Sequence, residues 1–200
     1  LRIMSKEACR PFCKTRDGMV QGEGAAIFIF ENYENAKRRG ANILAEVAGF
    51  SMTSDAHDIV NPSKKGAARA ISGALKDAKF NPEDVGYINA HGTGTLANDK
   101  TECAAIKDVF INHAKKLMIS STKSMHGHLI GGTGAVELLS CILALTNGII
   151  APTINYVKVD PNCDLDVVPN TAREKNIECV LSNSFAFGGL NAVLALKKKP

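Results

Sequence analysis

Two hundred residues, 45% of them hydrophobic and 22% charged, suffice for one sizeable globular domain, or one domain with part of another, around a genuine core. A formal net charge of +4, with basic residues scattered among acids, carries no nucleic-acid footprint, and the Lys197-Lys198-Lys199 tail reads as a solvated end. The six cysteines, at 9, 13, 103, 141, 163 and 179, show no CxxC pairing and several lie in apolar segments, which points to buried reduced thiols in a cytoplasmic protein rather than a disulfide frame.

Leu1-Arg2-Ile3 resembles no signal peptide, and its abrupt start without methionine reads as the continuation of a longer polypeptide. Residues 1 to 24 are irregular, with turns at Arg16-Asp17-Gly18 and Gly22-Glu23-Gly24. A continuous apolar strand is predicted from Ala25 to Glu31, then a short polar helix from Asn32 to Arg39 ending at Gly40. Ile43 to Phe50 is the next strand, and Ser51 to Pro62 a polar loop. Ala68, Ile71, Leu75 and Ala78 mark one face of a helix by their spacing of three and four. A turn at Asn81-Pro82 leads into the strand Val85 to Ala90, which delivers His91-Gly92-Thr93-Gly94-Thr95 at its end. A helix follows from about Asp99, with Cys103, Ile106, Val109 and Phe110 on its apolar face. The strand Leu117 to Ser121 leads into Lys123-Ser124-Met125-His126-Gly127-His128, and a helix from Thr133 to Thr146 is apolar on most sides. The apolar stretch Ala135 to Ile150 is interrupted by Glu137, Ser140, Thr146, Asn147 and Gly148, so no membrane span is expected. The chain closes with two antiparallel strands, Ile177 to Ser182 and Ala192 to Lys197, joined through Asn183 to Asn191. Successive β-α repeats with short, continuously apolar strands imply an α/β fold with a mostly parallel sheet covered on both faces.

Open α/β sheets place their chemistry at the carboxyl ends of strands, and two of those ends carry histidines in glycine-flanked turns, His91 and His128. The helix starting near Thr133 points its positive dipole end at the His128 turn and disfavours imidazolium. A neutral imidazole can still donate one N–H to a developing oxyanion. A metal is the rival reading of His91, His126 and His128, but no cysteine or carboxylate lies near them in the helical spacing that metal sites favour. Gly131-Gly132-Thr133-Gly134 lacks the Walker ending and the GxGxxG spacing, and reads as helix packing rather than a phosphate cradle. Ser184 lacks a GxSxG elbow. Lys123 and Glu137 would meet as a buried ion pair if the helix folds back on its strand.

At these residues the sequence resembles the β-ketoacyl-acyl-carrier-protein synthases of the condensing-enzyme family. The motif His91 to Thr95 with Asp99 and Glu102, the motif Ser121 to Leu129 running on to Glu137, the segment Pro152 to Asn155, and the turn Asn183 to Asn191 follow in the family's order, and the likeness extends over essentially the whole chain. The resemblance implies a thiolase-like α/β fold, a duplicated αβαβα arrangement. Residues 1–40 would be the last segment of its N-terminal half and residues 41–200 its C-terminal half. It implies decarboxylative condensation of malonyl-acyl carrier protein with an acyl group held on a cysteine.

His91 and His128 would then be the catalytic histidines, Lys123 the supporting lysine and Glu137 its partner. Thr93 and Thr95 would contact the phosphopantetheine arm, and Phe187 would gate the acyl pocket within a substrate-binding turn that includes Phe185 and Gly188. Acyl carrier protein is the implied partner, a homodimer the implied state of the whole protein, and no bound cofactor or metal is expected. None of the six cysteines sits in the family's nucleophile motif, so the isolated chain is expected to be inactive. His126, Gly132-Thr133, Ala186 and Leu190 depart from the common pattern, in a way that resembles the nodulation-type E proteins. A non-catalytic partner of the same fold, comparable to chain-length factors, is the alternative; retention of both histidines and Lys123 favours the enzyme.

Overall fold

A computed structural model describes residues 3–199, so the abrupt start at Leu1-Arg2 and the terminal Pro200 lie outside the described residues. Helix α1 is Tyr33–Arg38, where the Asn32 side chain accepts from the backbone N–H of Glu34 and Asn35 and satisfies two otherwise orphaned donors. The strand expected at 25–31 is absent. That segment pairs with no described strand, and Ile27 and Phe30 are 91% and 69% exposed. Apolar, β-favouring residues become a strand only beside an edge that can take their hydrogen bonds.

Strand β1, Ala45–Ser54, runs beyond its expected end at Phe50 because the last strand pairs with it as far as Ser54. Helix α2, Lys64–Ala78, is capped by the Ser63 hydroxyl and closed by Lys79 in the left-handed conformation. It buries Ala67, Ala70, Ile71, Ala74 and Leu75; of the expected face Ile71 and Leu75 lie at the centre, and Ala68 and Ala78 are partly buried at its edge. Then come β2 (Val85–Asn89), α3 (Leu96–Phe110), β3 (Met118–Ser120), the single turn α4 (Lys123–His126) and α5 (Thr133–Asn147). A short pair, β4 (Ile149–Ile150) with β5 (Arg173–Glu174), precedes the final strands β6 (Cys179–Ala186) and β7 (Leu190–Lys198).

Five strands form one sheet in the order β1-β7-β6-β2-β3. Strand β2 lies parallel to both β3 and β6, whereas β7 is antiparallel to both β6 and β1. The sheet is therefore mixed where mostly parallel pairing was expected. Long helical crossovers keep β2 and β3 parallel, and the tight Phe187–Gly189 turn forces β7 to return antiparallel. The sheet's period-two alternation divides the core. Ile88 and Leu181 face α2 and α3 together with Ile71, Ile106 and Phe12, while Tyr87 and Val180 face α5 with Cys141 and Leu145.

The span Ile130–Asn147, with a mean hydropathy of 1.3, is long and apolar enough to cross a membrane by length and composition, against the expectation from its interruptions. Packing accounts for one face of it: Leu138, Cys141, Ile142 and Leu145 are buried on the sheet with the one carboxylate of α5, Glu137, while Leu139 and Leu143 stand exposed on the other.

Close approach of α2 to β1 depends on Gly49, at the register shift between Val47 and Gly49. A Cβ there would lie 2.4 Å from the backbone nitrogen of Ala78, so a helix rather than a side chain would have to move. Gly49→Ala is expected to lower the unfolding free energy by about 1–3 kcal/mol, read as a lower urea midpoint with an unchanged slope.

Candidate active site

Strands β2 and β3 end side by side, with the Ala90 N–H on the Ser120 carbonyl at 2.9 Å, and each hands the chain to a polar turn. The turn after β2 is held by carboxylates. Both the His91 and Gly92 N–H groups donate to Glu102 at 2.8 Å, and the side-chain amides of Asn98 and Asn183 complete its shell at 3.4 and 3.1 Å. Glu102 lies on the inner face of α3, where burial pushes its pKa up against those four donors. Asp99, one turn earlier, accepts from Gly94 N at 3.2 Å and Phe12 N at 2.7 Å, and burial raises it to about 6. Buried Arg16 completes this shell, bonding Asp160 at 2.5 Å and the Thr95 carbonyl at 3.1 Å. Gly92, at φ 37, is required because a Cβ would lie 2.5 Å from Ser121 Cβ.

The turn after β3 is fixed by a charge pair. Lys123 and Glu137 are both fully buried and bonded to each other, joining α4 to α5 across the His128 turn, as the sequence implied. Burial raises Glu137 to about 7, and Lys123 pulls it the other way; its second oxygen has no hydrogen-bond partner among the described residues. His128 is held at both levels. Its backbone pairs with residues 20–22, His128 N to Val20 O at 2.7 Å and Gly22 N to His128 O at 3.1 Å. Its ring Nδ1 accepts from Ile130 N at 3.0 Å and sits 3.1 Å from the Thr133 hydroxyl. A backbone N–H can only donate, so Nδ1 carries the lone pair and the proton resides on Nε2.

The two imidazoles meet edge to face with centroids 5.5 Å apart, and Phe185 lies 5.8 Å from His91. Both stay neutral near pH 7. Burial, followed by the Lys123 charge and the neighbouring His128, holds His91 well below the usual histidine range. Burial, then Lys123, lowers His128 to about 4. Both rings line a cleft of about 540 Å³ with Thr93, Thr95, Phe185 and Phe187, and Met52 and Ile59 form part of its far wall. The Thr93 and Thr95 hydroxyls are 2.8 Å apart, and Thr95 also caps α3. Phe187 stands half-exposed at the hairpin tip.

Of the predicted residues, Lys123 and Glu137 lie behind the histidines rather than on the cleft wall, and Gly188 does not line it. The Gly188 N–H instead bonds the Ile59 carbonyl at 2.8 Å, tying the hairpin tip to the loop after β1. Sequence reasoning assigned no role to Glu102, Asp99, Arg16 or Asn183. The available signal was two acids, Asp99 and Glu102, three apart in the first turns of a helix directly after a glycine-rich turn; they face inward on α3.

A model of the beta-ketoacyl synthase C-terminal domain matches residues 44–157, more than half of the chain, and the chain belongs to that family. It is 52% identical over 198 residues to nodulation protein E of Rhizobium leguminosarum bv. trifolii, a match covering 99% of this chain and 49% of that protein. It is equally 52% identical over 193 residues to 3-oxoacyl-[acyl-carrier-protein] synthase 2 of Synechocystis sp., covering 96% of this chain and 46% of the relative. A solved ketosynthase in complex with a type II PKS acyl-carrier protein superposes with a TM-score of 0.94 at 40% identity, over 96% of this chain and 48% of that one. The fold is thus the thiolase-like α/β fold of the ketosynthases, and the chain spans about half the length of the curated relatives it matches.

Two measurements check this geometry. The His128 ring should titrate near pH 4 in a two-dimensional NMR series and show the Nε2–H tautomer above it; a midpoint near 6.5 would contradict the buried, Lys123-facing environment. Lys123→Met should destabilise the fold by about 3–5 kcal/mol by stranding Glu137, and Lys123→Met with Glu137→Leu should recover most of that loss in chemical denaturation.

Proposed function

We propose that this chain is the C-terminal portion of a β-ketoacyl-[acyl-carrier-protein] synthase, with residues 1–40 the last segment of a preceding, similar half. The observation that carries this reading is the pair of neutral imidazoles 5.5 Å apart on the wall of one cleft, one with its proton committed to Nε2. Decarboxylation of a malonyl thioester breaks the bond to the departing CO2 and moves that electron pair toward the thioester oxygen. His91 and His128 donate to that oxygen, where charge develops, and so bind the transition state more tightly than the ground state. The resulting carbanion attacks an acyl thioester carbonyl, forms the new C–C bond and expels the thiolate. Neutral donors suit this step because a charged imidazolium would need desolvation and could protonate the carbanion.

Lys123 and Glu137 support the His128 turn from behind. Thr93 and Thr95 present hydroxyls to the phosphopantetheine arm of the carrier protein. Phe185 and Phe187 border the acyl part of the cleft, with Gly188 setting the hinge of the tip. None of the six cysteines lines the cleft, so the acyl-bearing cysteine comes from a part of the whole protein outside this chain. Acyl carrier protein is the proposed partner, supported by the relative named for it and by the solved ketosynthase complex. Six free cysteines support a reducing, cytoplasmic setting.

In the whole protein, His91→Ala or His128→Ala should slow malonyl-carrier decarboxylation by at least about 100-fold, measured as CO2 release, as loss of one oxyanion donor does. Unchanged release in either variant removes that histidine from the site.

A further inference from the structure

Of the three histidines in the two candidate turns, His91, His126 and His128, the proposed mechanism leaves His126 unused. His126 closes α4, two residues before His128, and both of its ring nitrogens are engaged: Nδ1 with the Gly127 carbonyl at 2.7 Å and Nε2 with the Thr122 hydroxyl at 3.0 Å. The Thr122 oxygen also takes the Asn89 side-chain amide at 3.3 Å, and the same amide nitrogen reaches the Glu137 carbonyl at 3.5 Å. The carbonyls at the two ends of this chain of bonds can only accept, so every proton between them has one consistent place. Asn89 donates to Thr122, the Thr122 hydroxyl donates to His126 Nε2, and His126 Nδ1–H donates to Gly127. Burial, foremost, lowers the His126 pKa and keeps the ring in this neutral form.

The ends of the relay matter. Asn89 is the last residue of β2, two before His91. The Gly127 carbonyl belongs to the peptide that leads into His128. That peptide is tightly set: Gly127 has φ 74, a Cβ on it would lie 2.9 Å from both Gly22 N and Val20 O, and the His128 N–H is anchored on Val20. A 4-residue helix has little stiffness of its own. Val20 holds this peptide by its N–H, and His126 Nδ1 holds it from the opposite side by its carbonyl, so the plane is fixed at both ends.

We propose that His126 is a positioning residue for His128, holding the Gly127 peptide through Nδ1–H and tying it through Thr122 and Asn89 to the strand that carries His91. The two oxyanion donors are thereby kept in register by one directed set of hydrogen bonds. This inference rests on the reading of His128 as an oxyanion donor.

The test uses the whole protein and three substitutions that separate the two ring nitrogens. Asparagine places its amide N–H near the position of Nδ1, and glutamine places an acceptor near Nε2. His126→Ala is expected to lower the decarboxylation kcat by about 10- to 100-fold, the scale of a misplaced catalytic group, with KM changed less than about 2-fold, and to mix the His128 ring tautomers in 15N NMR. His126→Asn should restore kcat to within about 3-fold of wild type and restore the single Nε2–H signature, and His126→Gln should not. An unaltered His128 signature in His126→Ala, or rescue by Gln equal to that by Asn, overturns the proposal. The NMR signature decides the positioning role even if His128→Ala leaves decarboxylation unchanged, in which case the donor reading fails by itself.

Discussion

The bond between Lys123 and Glu137 is the constraint on which the rest of the site depends. Two charges without access to water are tolerated only together, so wherever α4 begins, α5 must place its fifth residue against it. That condition fixes the loop between the two helices, and the loop carries His128. It also sets the electrostatics of the cleft, because a lysine ammonium held behind both imidazoles helps burial keep each of them uncharged. One ion pair thus serves as a brace and as the source of the field in which the histidines work.

The other wall is built differently. Around His91 the turn is shaped by carboxylates that accept main-chain N–H groups, Glu102 from His91 and Gly92, Asp99 from Gly94 and Phe12. Strong acceptors buried beside a glycine-rich turn convert flexible backbone into a rigid platform. Arg16 closes this shell by joining the segment before α1, the start of α3 and Asp160 in the loop after β4. One turn is therefore pinned chiefly from α3 on one face of the sheet and the other from α5 on the opposite face.

Much of this was legible in the chain. Continuous apolar runs gave β2 and α5 close to their observed limits and three-and-four spacing marked α2, while α3 starts three residues earlier than the expected Asp99; His91 follows the end of β2 directly, and His128 follows the single helical turn after β3. The partnership of Lys123 with Glu137 followed from requiring buried charges to pair. What could not be read depends on contacts distant in sequence. The run at 25–31 has the composition of a strand, but a strand is a relation between two segments and its own letters do not supply the second. The antiparallel β6–β7 pair was expected, but its insertion between β1 and β2, which makes the sheet mixed, rests on β1 meeting β7, a contact distant in sequence. Arg16 and Asp160 lie 144 residues apart and carry no motif, so their joint role in the His91 turn emerges only in three dimensions.

The strand order β1-β7-β6-β2-β3 has a consequence for the order of events in assembly. The last two of these strands in chain order lie in the middle of the sheet, with the earlier ones outside them. Until β6 and β7 have left the ribosome, β1 has no partner among the described strands, and the β2–β3 pair has an open edge along β2 flanked by apolar side chains. Pairings such as Ala45 with Lys198 close loops of nearly the whole chain, the kind of contact that slows folding and prolongs the exposure of unpaired edges. The hairpin that frames the mouth of the cleft is therefore also the keystone of the sheet. Until it is inserted the helices have no continuous surface to pack on, and the histidines have no common site to face.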